Sequence, residues 1–336
     1  MREICFRKYA LTVFVAFVCL SLLTVNVQAL SWNLVSSPTK SNLHAVDMVS
    51  ATDGWAVGSG GTIIHWNGTS WSNVTSPTTA ILKSVSMVSS DDGWAVGLDT
   101  SIIHWDGTQW SNYTSVPYSN FQCVHMVNAS MGWAVGLAGK TMSWNGTSWN
   151  NATYSSNNPL YSVDVVSSTE QWAVGQKGII VKGNGTSWTI IRNPEIRWLW
   201  SVNMVNAQDG WTVGDSGTIM RYDGTNWTDQ TSPTTEHLFS VCMLNQNSGW
   251  AVGATGTIIN WDGAGWNKIA CPTTAWLNSV DMLSSTDGWI VGADGTIVHL
   301  QETSGFPVEY LAVIVGAVAV AAVVLVMLRK KRLSTR

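Results

Sequence analysis

Basic residues are scarce in this chain: 17 Lys and Arg stand against 21 Asp and Glu in 336 residues, a formal net charge of −4. The shortage is sharper in the middle. Residues 30–308 hold nine Lys and Arg (Lys40, Lys83, Lys140, Lys177, Lys182, Lys268, Arg192, Arg197 and Arg221) against 19 acidic residues, a formal charge of −10. An acidic surface with scattered cations repels phosphate backbones, so a nucleic-acid partner is excluded. Cysteine is also sparse. Beyond the first 29 residues only Cys123, Cys242 and Cys271 remain, an odd number at unrelated positions, so no disulfide framework is expected. Cys123 and Cys242 fall on expected inner strands, where a free thiol acts as a small apolar group. A helical period is missing throughout residues 31–304, which points to an all-β chain.

What is abundant is tryptophan, at 21 residues, and it is spaced with a ruler. Trp55, Trp94, Trp133, Trp172, Trp211, Trp250 and Trp289 stand 39 residues apart, each in a phrase like Gly-Trp-Ala-Val-Gly. A second series keeps the same step at Trp32, Trp71, Trp110, Trp149, Trp188, Trp227 and Trp266. A third is partial, at Trp66, Trp105, Trp144 and Trp261, with Gly183, Tyr222 and Leu300 in the other units. A fixed period of this size means a repeat architecture. Each unit reads as four short strands, with Asn-Gly or Asp-Gly hairpin turns such as Asn67-Gly68 and Asp106-Gly107 before the last. Four strands in about 40 residues is one propeller blade.

The ends of the array predict closure. The seventh unit stops after three strands, with Gly305 where its outer Trp belongs, while a spare strand at 31–37 precedes the first unit. Together they complete a seventh blade and remove the open sheet edges. The expected fold is therefore a seven-bladed β-propeller over 30–305. Small residues at one inner-strand position (Ala45, Ser84, Cys123, Ser162, Ser201, Ser240, Ser279) suit the crowded axis, and the repeated Trp fills the wider gap between blades. The glycine closing each phrase, Gly58 in the first, is expected at a turn that needs free φ.

The flanks have a different character. Residues 1–29 carry Arg2, Arg7 and Lys8, an apolar run and a small residue at Ala29, the pattern of a signal peptide cleaved after that position. Residues 310–328 form 19 uncharged positions, long enough to span a bilayer, and the basic tail 329–336 marks its side as cytoplasmic. The expectation is a single-pass cell-membrane protein with the propeller outside. Eight Asn-x-Ser/Thr sequons then become glycosylation candidates. Asn73, Asn112 and Asn151 are expected on exposed outer strands. Asn67, Asn145 and Asn184 are hairpin-turn residues whose Thr comes with the repeat, and Asn128 and Asn226 complete the set.

The pattern Gly-Trp-Ala-Val-Gly-x-x-Gly-Thr-Ile followed by Trp-Asp-Gly-Thr-x-Trp resembles the photosystem II stability/assembly factor family of seven-bladed propellers. It is similar, more distantly, to the Asp-box repeats of bacterial sialidases, although "DGTQW" at 106–110 is one residue short and Asn replaces Asp in three units. The first resemblance implies a non-enzymatic fold that binds a membrane-protein client, partly through an Arg-bearing surface, which the group Arg192, Arg197 and Arg221 echoes. The second implies glycoside hydrolysis, with three Arg from different blades around the substrate carboxylate. Arg192, Arg197 and Arg221 span about one blade and cannot do this, so no catalytic residue is expected.

No cofactor and no metal are expected. His65, His104 and His299 share one repeat position, but blades keep such positions about 10 Å apart, too far for one Zn with nitrogens at about 2 Å. The inner-strand series Asp47, Ser86, His125, Asp164, Asn203, Cys242 and Asp281 is either a lined channel or a set of polar groups satisfied by neighbouring backbone. The marked departure from the repeat is aromatic. Around the start of strand one, consecutive units carry Tyr161, Trp198, Trp200, His237, Phe239 and Trp276, with Arg192, Arg197, Glu195 and Glu236 near in sequence. Gathered on one face, they make a recognition surface for a protein or glycan. The leading expectation is a membrane-anchored, non-enzymatic recognition propeller. An assembly factor for a membrane client comes second, and a sialidase-like hydrolase last.

Overall fold

The computed structural model describes residues 30–113, 119–154, 156–192 and 197–302. The expected signal peptide, membrane span and basic tail lie outside these residues. Among the described residues, no helix is long and apolar enough to cross a membrane. The propeller occupies one compact unit, Trp32–Gln301.

Blade one shows how the phrase becomes structure. Its strands are Leu43–Ser50, Asp53–Gly58, Ile63–Trp66 and Trp71–Asn73, antiparallel and ordered from axis to rim. The alternation and β-branching of "LHAVDMVS" and "IIHW" favour strands, and Asn67 ends the third by accepting the Thr69 and Ser70 N–H groups, both at 3.0 Å. Six further sheets repeat the order, with inner strands Leu82–Ser89, Phe121–Asn128, Leu160–Ser167, Leu199–Asn206, Leu238–Asn245 and Leu277–Met282. The last is completed as expected: Leu30–Leu34 is the outer strand on Ile297–Glu302, and the Val35 N–H donates to the Ile297 carbonyl at 3.0 Å. Blade four adds a fifth strand at its rim, Thr153–Tyr154, parallel to Ser187–Arg192.

Between every two blades lies one apolar cluster, and each is pinned by two tryptophans. The second-strand Trp of one blade meets the outer-strand Trp of the next, edge to face: Trp55 with Trp110 at 5.5 Å, Trp94 with Trp149 at 5.5 Å, Trp211 with Trp266 at 5.4 Å. The series runs round the whole ring. Trp250 meets Trp32 at 5.3 Å and Trp289 meets Trp71 at 5.4 Å, so the N-terminal strand closes the circle with the same contact. Most of these buried indole N–H groups have no oxygen partner. Burying one such ring contributes about 3–5 kcal/mol by the cost of truncating it.

Two details differ from the sequence expectation or sharpen it. Gly58 and its equivalents are extended, with φ −165° at Gly58, so free φ is not what they supply. A Cβ there would collide with the Asn42 carbonyl, where the chain enters strand one of the same blade. The positive φ values sit two and three residues on, as at Gly60 (φ 65°) and Gly61 (φ 70°), and blade two has Asp99 and Thr100 at those two places.

Blade four breaks the repeat in a compensated way. Elsewhere a Gly before the repeated Trp leaves room for a Met side chain, as Gly54 does for Met48, and faces a large side chain across the pair, such as Trp66 in blade one, Tyr222 in blade five or Leu300 in blade seven. Blade four has Val165, Gln171 and Gly183 at those three places, with Gln171 opposite Gly183. The smaller Val and missing Trp make space for the Gln, whose amide donates to the Ser167 carbonyl at 2.7 Å and accepts the Gly185 N–H at 2.9 Å.

Candidate functional site

All seven inner strands carry a β-bulge at their second residue, seen as a register shift between Leu43 and Ala45 and at each equivalent. A bulge leaves one residue unpaired and re-aims its side chain. Around the axis the bulge residues are His44, Lys83, Gln122, Tyr161, Trp200, Phe239 and Asn278. They ring the mouth of the propeller at the end where inner strands begin, here the entry end. Three of the expected aromatics, Tyr161, Trp200 and Phe239, are bulge residues within strand one. Trp198, His237 and Trp276 stand just before it.

The six side chains form one continuous crescent over blades four to seven. Tyr161 stacks on Trp200 with centroids 4.6 Å apart, and Trp198 lies 5.8 Å from Tyr161 and 5.3 Å from Trp200. Trp200 reaches Phe239 at 6.2 Å, and Phe239 reaches both His237 at 6.4 Å and Trp276 at 5.6 Å. Trp276 is the most open, at 56% exposure.

Asp215, in the turn after the second strand of blade five, ties the crescent together. Its Oδ1 accepts the Trp200 indole N–H at 2.7 Å and lies 3.0 Å from His237 Nδ1, while Oδ2 accepts the Trp198 backbone N–H at 3.4 Å. The sequence reading missed this residue. The signal was there: it is the one acid at its repeat position, where other units have Ser59, Leu98, Leu137, Gln176, Ala254 and Ala293. Burial, with help from the Asp215 charge, raises the Tyr161 hydroxyl above the ordinary tyrosine range.

The Arg group is not one site. Arg197 is at the entry end and donates to Thr218 Oγ1 at 3.3 Å. Arg221 is at the opposite end, bidentate on Asp209 at 2.9 and 3.1 Å, with its guanidinium 5.0 Å from the Trp211 ring centroid. The side chain of Arg192 and the whole of Glu195 lie outside the description. The three histidines do not converge either. Each pairs with the acid heading its own second strand: His65 with Asp53 at 2.7 Å, His104 with Asp92 at 2.8 Å, His299 with Asp287 at 2.8 Å. Lys182 with Glu170 and Arg221 with Asp209 repeat the pairing in blades four and five. Where the acid is lost, at Met131 and Ser248, the partner is neutral too, Ser143 and Asn260.

These acids belong to the other end of the disc, the hairpin end, together with Asp91, Asp106, Asp223 and Asp262 in its turns. Hydrogen bonds from Thr108 and from the Gln109 backbone hold Asp106 down to about 2, and backbone N–H groups lower Asp223 and Asp262 likewise, so these carboxylates stay ionised. Among the described residues, these nine carboxylates at this end face Lys182 and Arg221 as the Lys and Arg side chains there. The entry end has Lys40, Lys83, Lys140, Lys177 and Arg197 against Asp99, Asp215, Glu236 and Asp294. The acidity of the sequence is thus concentrated on the side away from the aromatics.

The inner polar series is tied to neighbouring backbone. The Asp281 carboxylate accepts the Met48 N–H of the next blade at 2.7 Å, Asn203 accepts that of Met243 at 2.7 Å, Ser86 that of Met126 at 3.0 Å, and Asp47 that of Met87. A second belt of serines does the same, as Ser240 does for Val280 at 3.2 Å. Burial pushes Asp47 up to about 7, with the Asp281 charge adding to it, and pushes Asp281 up to about 6. Burial also raises the free thiols Cys123, Cys242 and Cys271. Among the described residues no group of three His, Cys, Asp or Glu is placed to hold a metal ion.

Six of the eight sequons fall into two groups. Asn73 and Asn112 use their Nδ2 to donate to the Pro38 and Pro77 carbonyls at 3.2 and 3.1 Å, and Asn151 accepts from Lys140. Asn67, Asn145 and Asn184 are exposed, with Oδ1 held by turn N–H groups. Asn128 ends an inner strand at the hairpin end and accepts from Ser130, and Asn226 precedes the outer strand Trp227–Asp229.

Fold and site together define a seven-bladed propeller with one aromatic and one acidic end. No family model matches the sequence, and no curated protein sequence matches it. The fold is similar to that of YCF48, the photosystem II assembly factor. A YCF48 structure with a D1 peptide bound aligns at 18% identity with a TM-score of 0.69, over 81% of this chain and 95% of that one. YCF48 from Cyanidioschyzon merolae aligns at 16% with a TM-score of 0.68, over 81% and 99%. The WD40 propeller domain of Doa1 aligns at 15% and 0.69, over 82% and 98%. At these identities the likeness is one of fold.

Proposed function

We propose that this chain is a non-enzymatic recognition propeller that takes a protein segment across the aromatic crescent of its entry end. The carrying observation is the crescent itself: six ring side chains from four consecutive blades touch in one run, while of the other three blades only blade one has a ring at those positions, His44. A protein segment is favoured over a glycan because the ring faces are largely taken by one another, as in the Tyr161–Trp200 and His237–Phe239 stacks. Sugars want an open flat ring, whereas apolar side chains pack well on ring edges. The peptide bound to YCF48 on a similar fold supports the same reading. The proposal extends to a cell-surface setting, with 1–29 as a signal peptide, 310–328 as the span and the turn asparagines Asn67, Asn145 and Asn184 as the open sequons. A client held for assembly at the membrane fits the same surface.

The test compares the full-length chain with a Trp198→Ala/Trp200→Ala variant by in-cell photo-crosslinking from the Trp276 position. The expected result is one protein partner set, lost in the variant while its melting temperature stays near that of the parent. Crosslinking that ignores the two substitutions would sink the proposal. A glycan array bound through the same residues would replace it with the glycan reading. Alkaline extraction and protease protection of the tail test the membrane topology.

A further inference from the structure

The crescent covers only part of the mouth. The remaining bulge positions, Asn278, His44, Lys83 and Gln122, form a polar arc, and Lys83 carries the one amine among all seven, while Asn278 is occupied, its Nδ2 donating to the Leu43 carbonyl at 2.7 Å. Lys83 is partly buried, and among the described residues its ammonium has neither a hydrogen-bond nor an ion-pair partner. Its neighbour does not supply one. His44 is occupied with the Ser59 hydroxyl at 3.0 Å, and burial together with the Lys83 charge pulls its imidazole down to about 4, so it is neutral near pH 7. Burial depresses Lys83 itself. Holding an unpaired cation in a half-buried site costs stability unless something pairs with it.

The placement says what that partner should be. Trp198, His237 and Trp276 stand at the strand entrances, and the bulge residues two positions further in lie roughly 6–7 Å deeper. A chain lying at the level of the entrances leaves Lys83 about one side-chain length below it. The missing charge is negative. Building on the peptide reading above, we propose that Lys83 sets the specificity of this face by pairing with an acidic side chain of an extended peptide whose apolar residues lie along the crescent. The near-neutral entry end tolerates such a ligand, whereas the hairpin end, with its nine carboxylates, repels it.

The test screens the full-length chain against a synthetic random dodecapeptide library with acetylated and amidated ends, so that side chains provide the only carboxylates. Selected peptides are expected to combine Asp or Glu with aromatic or aliphatic residues. Replacing that Glu by Gln should weaken binding about tenfold, and Lys83→Met should make the two peptides bind alike. A free C-terminus should add nothing. The Lys83→Met protein should melt no lower than the parent, which separates lost recognition from lost folding. Binders that need Trp200 but carry no acid, or a Lys83→Met protein that still prefers Glu over Gln, would overturn the role of Lys83 and leave the peptide reading standing. A library without any Trp200-dependent binder would overturn both.

Discussion

The two ends of the disc obey different rules. At the hairpin end the same turn residues and cross-strand ion pairs recur blade after blade, down to the loss of both partners together at Met131/Ser143 and Ser248/Asn260. At the entry end the backbone is just as regular, with a bulge in every blade, yet the bulge side chains run from Lys to Trp. A residue in a turn or a buried ladder is constrained by its neighbours. A bulge residue is unpaired by construction, so the fold leaves its identity open and a ligand can decide it.

The largest test of that contrast compares two tryptophans. Trp211 is fully buried between blades and Trp276 is 56% exposed on the crescent. Trp211→Ala should cost about 3–5 kcal/mol and lower the melting temperature by roughly 10 °C. Trp276→Ala should stay within about 0.5 kcal/mol by the same melting experiment. Equal effects would mean that the crescent is simply more core.

The compensation in blade four offers the next test. Gly183→Trp alone should destabilise by about 1–3 kcal/mol, because Gln171 holds the space. Val165→Met and Gln171→Gly added to it should restore most of the loss, so the three changes should be strongly non-additive in a denaturant series.

At the axis, pH is the probe. The folded pKa values of Asp47 and Asp281, about 7 and about 6, exceed the ordinary 3.8, so the fold favours their protonated forms. Their stabilising effect is complete below about pH 4 and is lost as pH rises through about 7. Asn203 already accepts a neighbouring N–H with an amide. Asp47→Asn should therefore fold, and its melting temperature should gain on the parent as pH rises from 5 to 8. A gap that does not change with pH would mean that Asp47 ionises freely. The smallest effect is expected at the surface: His65→Gln breaks a partly exposed pair with Asp53 and should cost no more than about 1 kcal/mol in a melt at pH 6.

Much of the architecture was legible before any coordinates. Equal spacing of Trp55 through Trp289 counts the blades, and the lone strand around Trp32 announces the closure. The aromatic departures at Tyr161, Trp198, Trp200, His237, Phe239 and Trp276 were also visible, since a repeat displays its own exceptions. Lys83 and Asp215 were not picked out, because a single Lys or Asp gains meaning only from what does or does not stand beside it. The reason for Gly58 was misjudged on similar grounds: the constraint is a carbonyl on another strand, not the local turn.

The sequence by itself determined the number of sheets, their strand order and the residues that fill the space between them, because period and apolar pattern act locally and repeat. Tertiary structure alone decided which side chains meet across blades: the ring of paired tryptophans, the backbone belts at the axis, the acidic and aromatic ends, and the unpaired Lys83. The belts join residues 40 positions apart and the tryptophan pairs residues 55 apart, or 218 where the ring closes, and only the closed ring brings them within reach.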